Sequence, residues 1–395
     1  MAGGRLTIVV VPRNACDAAS QPDKAHLLTS AVVDYVNDIQ RAGVYTRHEL
    51  PAAAMQAFNA DYYLAQVNNG GHSQFIGNAG SLLATACADA RAGLEAMGAH
   101  AQQRILTEMM AWLKANPAEA AAQNGFSVRA TRLDELDKQF YAAERQTPMT
   151  PLAARWIAGW PELRVIAADQ YRAAIDQIAQ LNPYLTQRRI WQGVQNLRYQ
   201  MTDLLQITAA TACGAVKPEP ETKLALHAGS IWEIEGQQCR AFGVATDKGS
   251  RLCVIEDAGG RLYEFVRRSP PPKDAKPGIS KRPAEAGSRL STVGAETIRQ
   301  FAKIADQTMA AEGIDLLLRK AALDPKSTVT AWRHHDDGAT WIAVTGQTRV
   351  VAMISGRRAA LIDRDGTPII TITRTEIEHH ASEVATGRAT MGPPR

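Results

Sequence analysis

The hydrophobic pattern of this 395-residue chain switches from helical to alternating spacing beyond its midpoint, and that switch constrains its fold more than any other feature. Between residues 24 and 213 apolar side chains recur every three or four positions, the spacing of one buried helix face. Ile190, Val194, Leu197, Met201, Leu204 and Thr208 make one such stripe; Leu163, Ile166, Tyr171, Ile175 and Ile178 make another. Stop signals at Gly98, Asn116-Pro117 and Asn182-Pro183 divide the region, which accommodates about seven helices. From Ile231 to Arg268, and again from Thr328 to Thr375, aromatic and β-branched residues alternate with polar ones between Gly-containing turns, as in antiparallel strands. Ala295 to Ala322 is again helix-like. The pattern predicts an α+β multi-domain protein: an N-terminal all-α helical bundle followed by one or two small β-rich modules.

Two proline-rich stretches suggest the boundaries. Lys217-Pro218-Glu219-Pro220-Glu221 reads as a charged linker, and Ser269 to Gly287 as a second, with Pro270-Pro271-Pro272 and several lysines. The expected division is a short N-terminal strand or arm at 1–23, a helical domain at 24–213, a small β module at 214–268, a Pro/Lys linker at 269–290, and a helix plus β-rich module at 291–395. The β segments align with each other without a gap when Ile255 is set on Ile362, which places Gly259 on Gly366, Leu262 on Ile369, Phe265 on Ile372 and Arg267 on Arg374. Either an internal duplication or the general likeness of Gly-turn hairpins explains this.

Composition excludes several classes. Hydrophobic residues make up 45% and charged residues 21%, which rules out a disordered or collagen-like chain. No apolar run approaches the roughly 18 residues of a bilayer span, and Leu6–Val11 is too short for a signal-peptide core, so a cytoplasmic protein with no membrane partner is expected. The five cysteines are scattered and form no C-x-x-C, which argues against a disulfide framework or a zinc site. Net charge is +4, and residues 269–395 hold all of the excess, with 18 basic and 14 acidic side chains; residues 24–213 hold 16 of each. The last third is mildly basic, short of a nucleic-acid footprint.

The most distinctive stretch runs from Asp61 to Asn78. Pro51 can open the preceding helix, of which Met55, Phe58 and Tyr62 form the buried face. Asn68 and Asn69 compete with the helix for local backbone bonds, Gly70 and Gly71 permit positive φ, Ser73 can cap the next helix, and Gln74 and Asn78 share one face of it. The physical reading is a tight helix–turn–helix corner clamped by side-chain amides.

These residues resemble the C-terminal domain of the bacterial DNA-mimic protein family, a domain of unknown function, over about residues 30–150. Glu49-Leu50-Pro51 matches the family's E-L-P. Asn69, Gly70, Gly71, Gln74, Phe75 and Asn78 match its N-G-G-x-x-Q-[FY]-x-x-N, with Tyr62, Tyr63 and Asn68 in the aromatic-containing helix before it. Leu94–Ala99 is similar to the family's next helix end. The resemblance implies an all-α domain that need not be an enzyme; in the namesake an acidic surface imitates DNA. This chain departs from that pattern in charge, because a phosphate mimic needs a large negative excess. Asp134, Glu135, Asp137 and Glu144 form a local acidic run, but Arg129, Arg132, Lys138 and Arg145 surround it, as on a salt-bridged helix face.

Other candidates have structural readings. His334, His335, Asp336 and Asp337 fit a polar hairpin loop better than a metal site, since adjacent strand residues point to opposite faces. His379 and His380 lie near a tail expected to fray. His72 reads as a turn residue, because no partner for a general base stands at a telling spacing. Trp156 and Trp160 read as core. Lys273, Lys276, Lys281, Arg282 and Arg289 make the second linker basic; a spacer is favoured over a nucleic-acid contact. No phosphate-loop, nucleophile-elbow or H-E-x-x-H string occurs, so no catalytic residue, cofactor or metal is assigned. The expected function is a non-enzymatic, regulatory or inhibitory interaction module docking another protein, such as a DNA-binding regulator or a toxin-like target; a homo-oligomer is compatible with the sequence. The rival is an enzyme or nucleic-acid-processing factor with a site between the helical and β modules.

Overall fold

A computed structural model describes residues 4–125, 128–267, 284–363 and 365–391. By internal contacts the chain forms two compact units, Met1–Thr186 with Met391–Arg395, and Gln187–Thr390. Among the described residues no helix is long and apolar enough to cross a membrane.

The first unit is helical apart from a two-stranded parallel sheet, in which β1 (Val9–Pro12) pairs with β2 (Leu163–Ile166). Its helices are α1 (Arg13–Ala18), α2 (His26–Gly43), α3 (Ala52–Ala79), α4 (Leu83–Ala96), α5 (His100–Ala115), α6 (Pro117–Ala121), α7 (Thr131–Gln146), α8 (Met149–Ala158) and α9 (Tyr171–Gln180). The apolar stripe proposed from Leu163 to Ile178 is therefore divided: its first turn is strand and only its second half is helix. Residues 163–166 lie opposite Val9–Val11, which are buried, and backbone pairing prevails over the helical spacing. The proposed N-terminal arm is this strand, followed by α1. One core joins β1, α2, the first half of α3 and α9 around Tyr35, Ile39, Leu50 and Ile175. A second joins the other half of α3 to α4, α5 and α7 around Tyr63, Phe75, Leu94, Leu106 and Phe140. Trp156 and Trp160 stack edge-to-face with ring centres 4.9 Å apart, consistent with core packing.

The second unit begins with most of α10 (Leu185–Thr202), then α11 (Leu204–Gly214). The stripe from Ile190 to Thr208 breaks at Asp203, whose Oδ1 accepts from the backbone N–H of Leu205 and Gln206 and caps α11; Leu204 is turned outward. The helical domain read as ending at 213 thus has its last two helices grouped mainly with the sheets. Of the proposed first linker, Lys217, Pro218 and Glu219 are exposed, but its end is anchored. Pro220, Glu221 and Thr222 are buried, and the Glu221 carboxylate receives Arg251 at 2.8 Å and the Thr246 hydroxyl at 2.9 Å.

Two five-stranded antiparallel meanders follow: β3 (Ala225–Ile234), β4 (Gln237–Thr246), β5 (Gly249–Glu256), β6 (Gly259–Arg267) and β7 (Ala284–Gly294); then β8 (Thr328–His335), β9 (Gly338–Thr345), β10 (Thr348–Ser355), β11 (Arg358–Ile362) and β12 (Pro368–Thr373). Each is followed at once by a helix, α12 (Ala295–Gln307) and α14 (Arg374–Ala389), and preceded by one, α11 and α13 (Ala310–Lys320). Most of the second proposed linker lies outside the described residues; its last residues, Ala284–Gly287, belong to β7.

The register shows that the meanders are repeats. Phe242 pairs with Cys253 and Cys253 with Leu262; Trp341 pairs with Ala352 and Ala352 with Leu361, an offset of 99 residues throughout. Leu262 pairs with Ser291 and Leu361 with Ile370, so the fifth strands and their helices differ by 79 residues, the first repeat having the longer β6–β7 connection. On that offset Ile298, Phe301 and Ala305 of α12 fall on Ile377, His380 and Val384 of α14, and all six are buried. The alignment of Ile255 with Ile362 is one strand out of step: it sets the third and fourth strands of the first sheet on the fourth and fifth of the second. Short hairpins with a glycine turn match in either phase, whereas paired registers do not. A single core around Leu197, Leu262, Phe301, Ile314, Trp341 and Ile377 serves both repeats.

Candidate functional site

The corner at Gly70-Gly71 is the point where α3 departs from helical geometry. Gly70 has φ −153° and Gly71 has φ +75°; the chain is helical on either side. Of the two glycines proposed for positive φ, only Gly71 adopts it. A Cβ on Gly71 would stand 2.0 Å from Asp137 Oδ2, and one on Gly70 would stand 2.1 Å from Gln74 Oε1. Close approach and backbone angle both require glycine at position 71; at position 70 the clash is with the movable end of the Gln74 side chain.

The space kept open by Gly71 holds a chain of buried polar groups. The Tyr63 hydroxyl lies 2.8 Å from His72 Nε2, and His72 Nδ1 lies 2.6 Å from Asp137 Oδ1, which also accepts the His72 backbone N–H at 2.8 Å. The second oxygen of Asp137 pairs with Arg129 at 2.9 Å. Arg129 donates in turn to the Gly70 carbonyl at 3.1 Å and to Asp134 at 3.1 Å. Tyr63 and His72 have no exposed surface. Burial, followed by the nearby Cys87, Asp137 and Glu144, raises the Tyr63 phenol well above its usual range, so it remains a neutral hydrogen-bonding group.

The amides do clamp the corner, but through side chains rather than backbone. Gln66 Oε1 accepts from Gln74 Nε2 at 3.0 Å and from Asn78 Nδ2 at 2.7 Å. Ser73 does not cap the following helix; its hydroxyl donates to the Val128 carbonyl and accepts the Gly125 N–H, both at 2.9 Å. Phe75 packs edge-on against Tyr63 at 5.1 Å and tilted against Tyr62 at 5.7 Å. The buried face of the helix is set by Met55, Asn59, Tyr63 and Val67; Phe58 and Tyr62 are only half-buried. Asn68 and Asn69 are exposed.

His72 therefore has the partner that its sequence neighbours did not reveal: Asp137, on α7. The acidic run on α7 also divides by direction. Asp137 is buried, and Glu144 points inward to Gln102 at 2.7 Å and is raised above the usual carboxylate range by burial. Asp134 and Glu135 face outward and pair with Arg129 and Arg132.

A second buried set lies in the other unit. His380 Nε2 is 2.7 Å from Asp315 Oδ2, which Arg319 also reaches at 2.6 Å, and His380 Nδ1 is 3.0 Å from Glu383. Far from fraying, His380 sits inside α14 with 2% of its side chain exposed. His334 and His335 end β8, and Asp336-Asp337 form the turn before β9. Among the described residues no group of three potential metal ligands is assembled.

Residues 48–160 match the model of a family described as DMP19-like protein. No curated protein and no solved structure matches the chain. The matched span contains the whole corner, with Tyr63, His72, Arg129 and Asp137, and ends just beyond α8; over residues 48–160 the chain is similar to that family.

Proposed function

We propose that the chain is a protein-docking module whose DMP19-like domain presents a rigid, charge-balanced surface to another protein, a DNA-binding regulator or a toxin-like target. The observation that carries this reading is the pairing of charge. Residues 48–160 hold ten acidic and eight basic side chains. The outward acids on α7 and α5 are matched: Asp134 by Arg129 at 3.1 Å, Glu135 and Glu108 by Arg132 at 2.8 and 2.7 Å. The α5–α7 groove, about 300 Å³, is lined by one cation, Arg104, one anion, Glu108, and otherwise by Ala, Ile and Gln side chains. A phosphate-like surface needs an unmatched row of negative charge to displace DNA from a basic groove. This surface favours recognition by shape and apolar contact.

The buried Tyr63–His72–Asp137 chain, closed at its outer end by the exposed Arg129, supports a structural corner rather than a reaction centre, because both ring nitrogens of His72 are engaged inside the protein. A general base must reach a substrate proton directly or through a water. The test is capture from host lysate at two salt concentrations, with and without duplex DNA as competitor. A specific partner retained at the higher salt and indifferent to DNA supports docking. Release by salt and by DNA overturns it in favour of mimicry.

A further inference from the structure

A half-open cavity within the second unit has a volume of about 740 Å³, within the usual range of small-molecule sites. Its two long walls are the beginnings of β3 and β8, the first strands of the two repeats. Leu226 pairs with Val244 and Ala225 with Ala245, whereas Val329 pairs with Ala343 and Thr328 with Val344. By the offset of 99 residues on the partner strands, Leu226 is therefore the counterpart of Val329 and Ala225 of Thr328. One and two residues earlier, Leu224 corresponds to Ser327 and Lys223 to Lys326. All eight residues line the cavity. The repeats thus meet with equivalent lysines at one cavity, while Ala209, Ala210 and Val244 contribute an apolar floor.

What distinguishes this cavity is its charge. The lysines carry the excess charge: Asp324 is the one acidic residue in the lining, and neither ammonium is ion-paired among the described residues. The surrounding frame is well bonded: Gln200 accepts the Val329 N–H at 3.0 Å and donates to the Ser327 carbonyl at 3.1 Å.

We propose that this cavity between the repeats binds a small organic anion, its acidic group held by Lys223 and Lys326 and its apolar body lying on the floor from α11 and β4. The site lies outside the DMP19-like domain and is independent of the docking reading; a failure of either leaves the other standing.

The test uses the full chain and two probes with the same aromatic body, the anionic 8-anilinonaphthalene-1-sulfonate and the neutral N-phenyl-1-naphthylamine, titrated by fluorescence. The sulfonate is expected to bind once per chain. Lys223→Gln with Lys326→Gln should weaken it by roughly tenfold or more, as expected for loss of charge-assisted bonds, while changing the neutral probe little. Lys223→Arg with Lys326→Arg should retain it, and Gln206→Trp, which fills the cavity from α11, should weaken both probes. Melting curves identify any variant that unfolds, and the arginine pair supplies a folded comparison. Absence of sulfonate binding, sulfonate affinity unchanged in the glutamine pair, or equal loss of both probes in that pair overturns the proposal.

Discussion

His72 Nδ1 lies 2.6 Å from Asp137 Oδ1, across 65 residues of chain, and this contact ties the glycine corner of α3 to α7. Asp137 also carries the His72 N–H and the Arg129 guanidinium, so one buried carboxylate serves three donors. Removing it strands the two His72 donors, while Arg129 keeps Asp134 and the Gly70 carbonyl. Asp137→Ala is expected to destabilise the protein by about 3–5 kcal/mol, the range for breaking a buried ionic pair. Tyr63→Phe removes a single neutral hydrogen bond and should cost about 1–2 kcal/mol. Chemical denaturation of both variants checks the order; an Asp137→Ala variant as stable as Tyr63→Phe would contradict it.

Gly71 and Gly98 both have positive φ, +75° and +80°, but different surroundings. A Cβ at Gly98 meets nothing within 4 Å, whereas one at Gly71 collides with Asp137. Gly98→Ala should cost about 1 kcal/mol, from backbone strain alone. Gly71→Ala should cost several times as much, since it also displaces the carboxylate. Equal thermal melts for the two variants would refute the packing role of Gly71.

His380 gives the second unit a defined pH response. Burial alone lowers an imidazole, but hydrogen bonds to Asp315 and Glu383 outweigh it, and the net shift is upward from 6.5. A group whose folded pKa is raised contributes stability fully below its unfolded pKa, and that contribution is lost as pH rises through the folded value. Stability should therefore fall as pH increases above about 6.5. His380→Gln should flatten that dependence; an unchanged slope in the variant, measured by denaturant midpoint against pH, would contradict the assignment.

Glu221 is 2% exposed and held by Arg251. Arg251→Ala leaves a buried carboxylate without its cation, at a cost of about 3 kcal/mol or more. The same burial predicts that residues 220–222 resist limited proteolysis in the wild type and become cleavable in the variant. Rapid wild-type cleavage there, located by mass spectrometry, would show that the segment is a free linker.

Much of the architecture is legible in the sequence because hydrophobic period is a local property. The switch from helical spacing to alternation identifies the α and β regions, and Gly98, Asn116-Pro117 and Asn182-Pro183 mark helix ends correctly. Its failures have non-local causes. Leu163–Ile166 becomes a strand because Val9–Val11, far away in sequence, is there to pair with it. The repeats are visible as similar hairpins but not in phase, since phase resides in which strand pairs with which. Glu221 looks like linker until Arg251 folds over it. At the corner, the glycines, Gln74, Phe75 and Asn78 announce a special turn, but Asp137 carries no local sign of its role: in sequence it is one acid in a charged helix, and only its helical phase separates it from Asp134 and Glu135.

The central claim is that the DMP19-like domain acts by neutral docking. Calorimetric affinity for its captured partner, measured as salt rises from roughly 50 to 200 mM, tests it directly, because that range strips phosphate-type contacts while leaving apolar burial almost unscreened. A charge-balanced docking surface predicts an affinity that changes little. A hundredfold or greater loss, at the scale of phosphate-type contacts, together with competition by duplex DNA, would contradict the claim and return the domain to DNA mimicry.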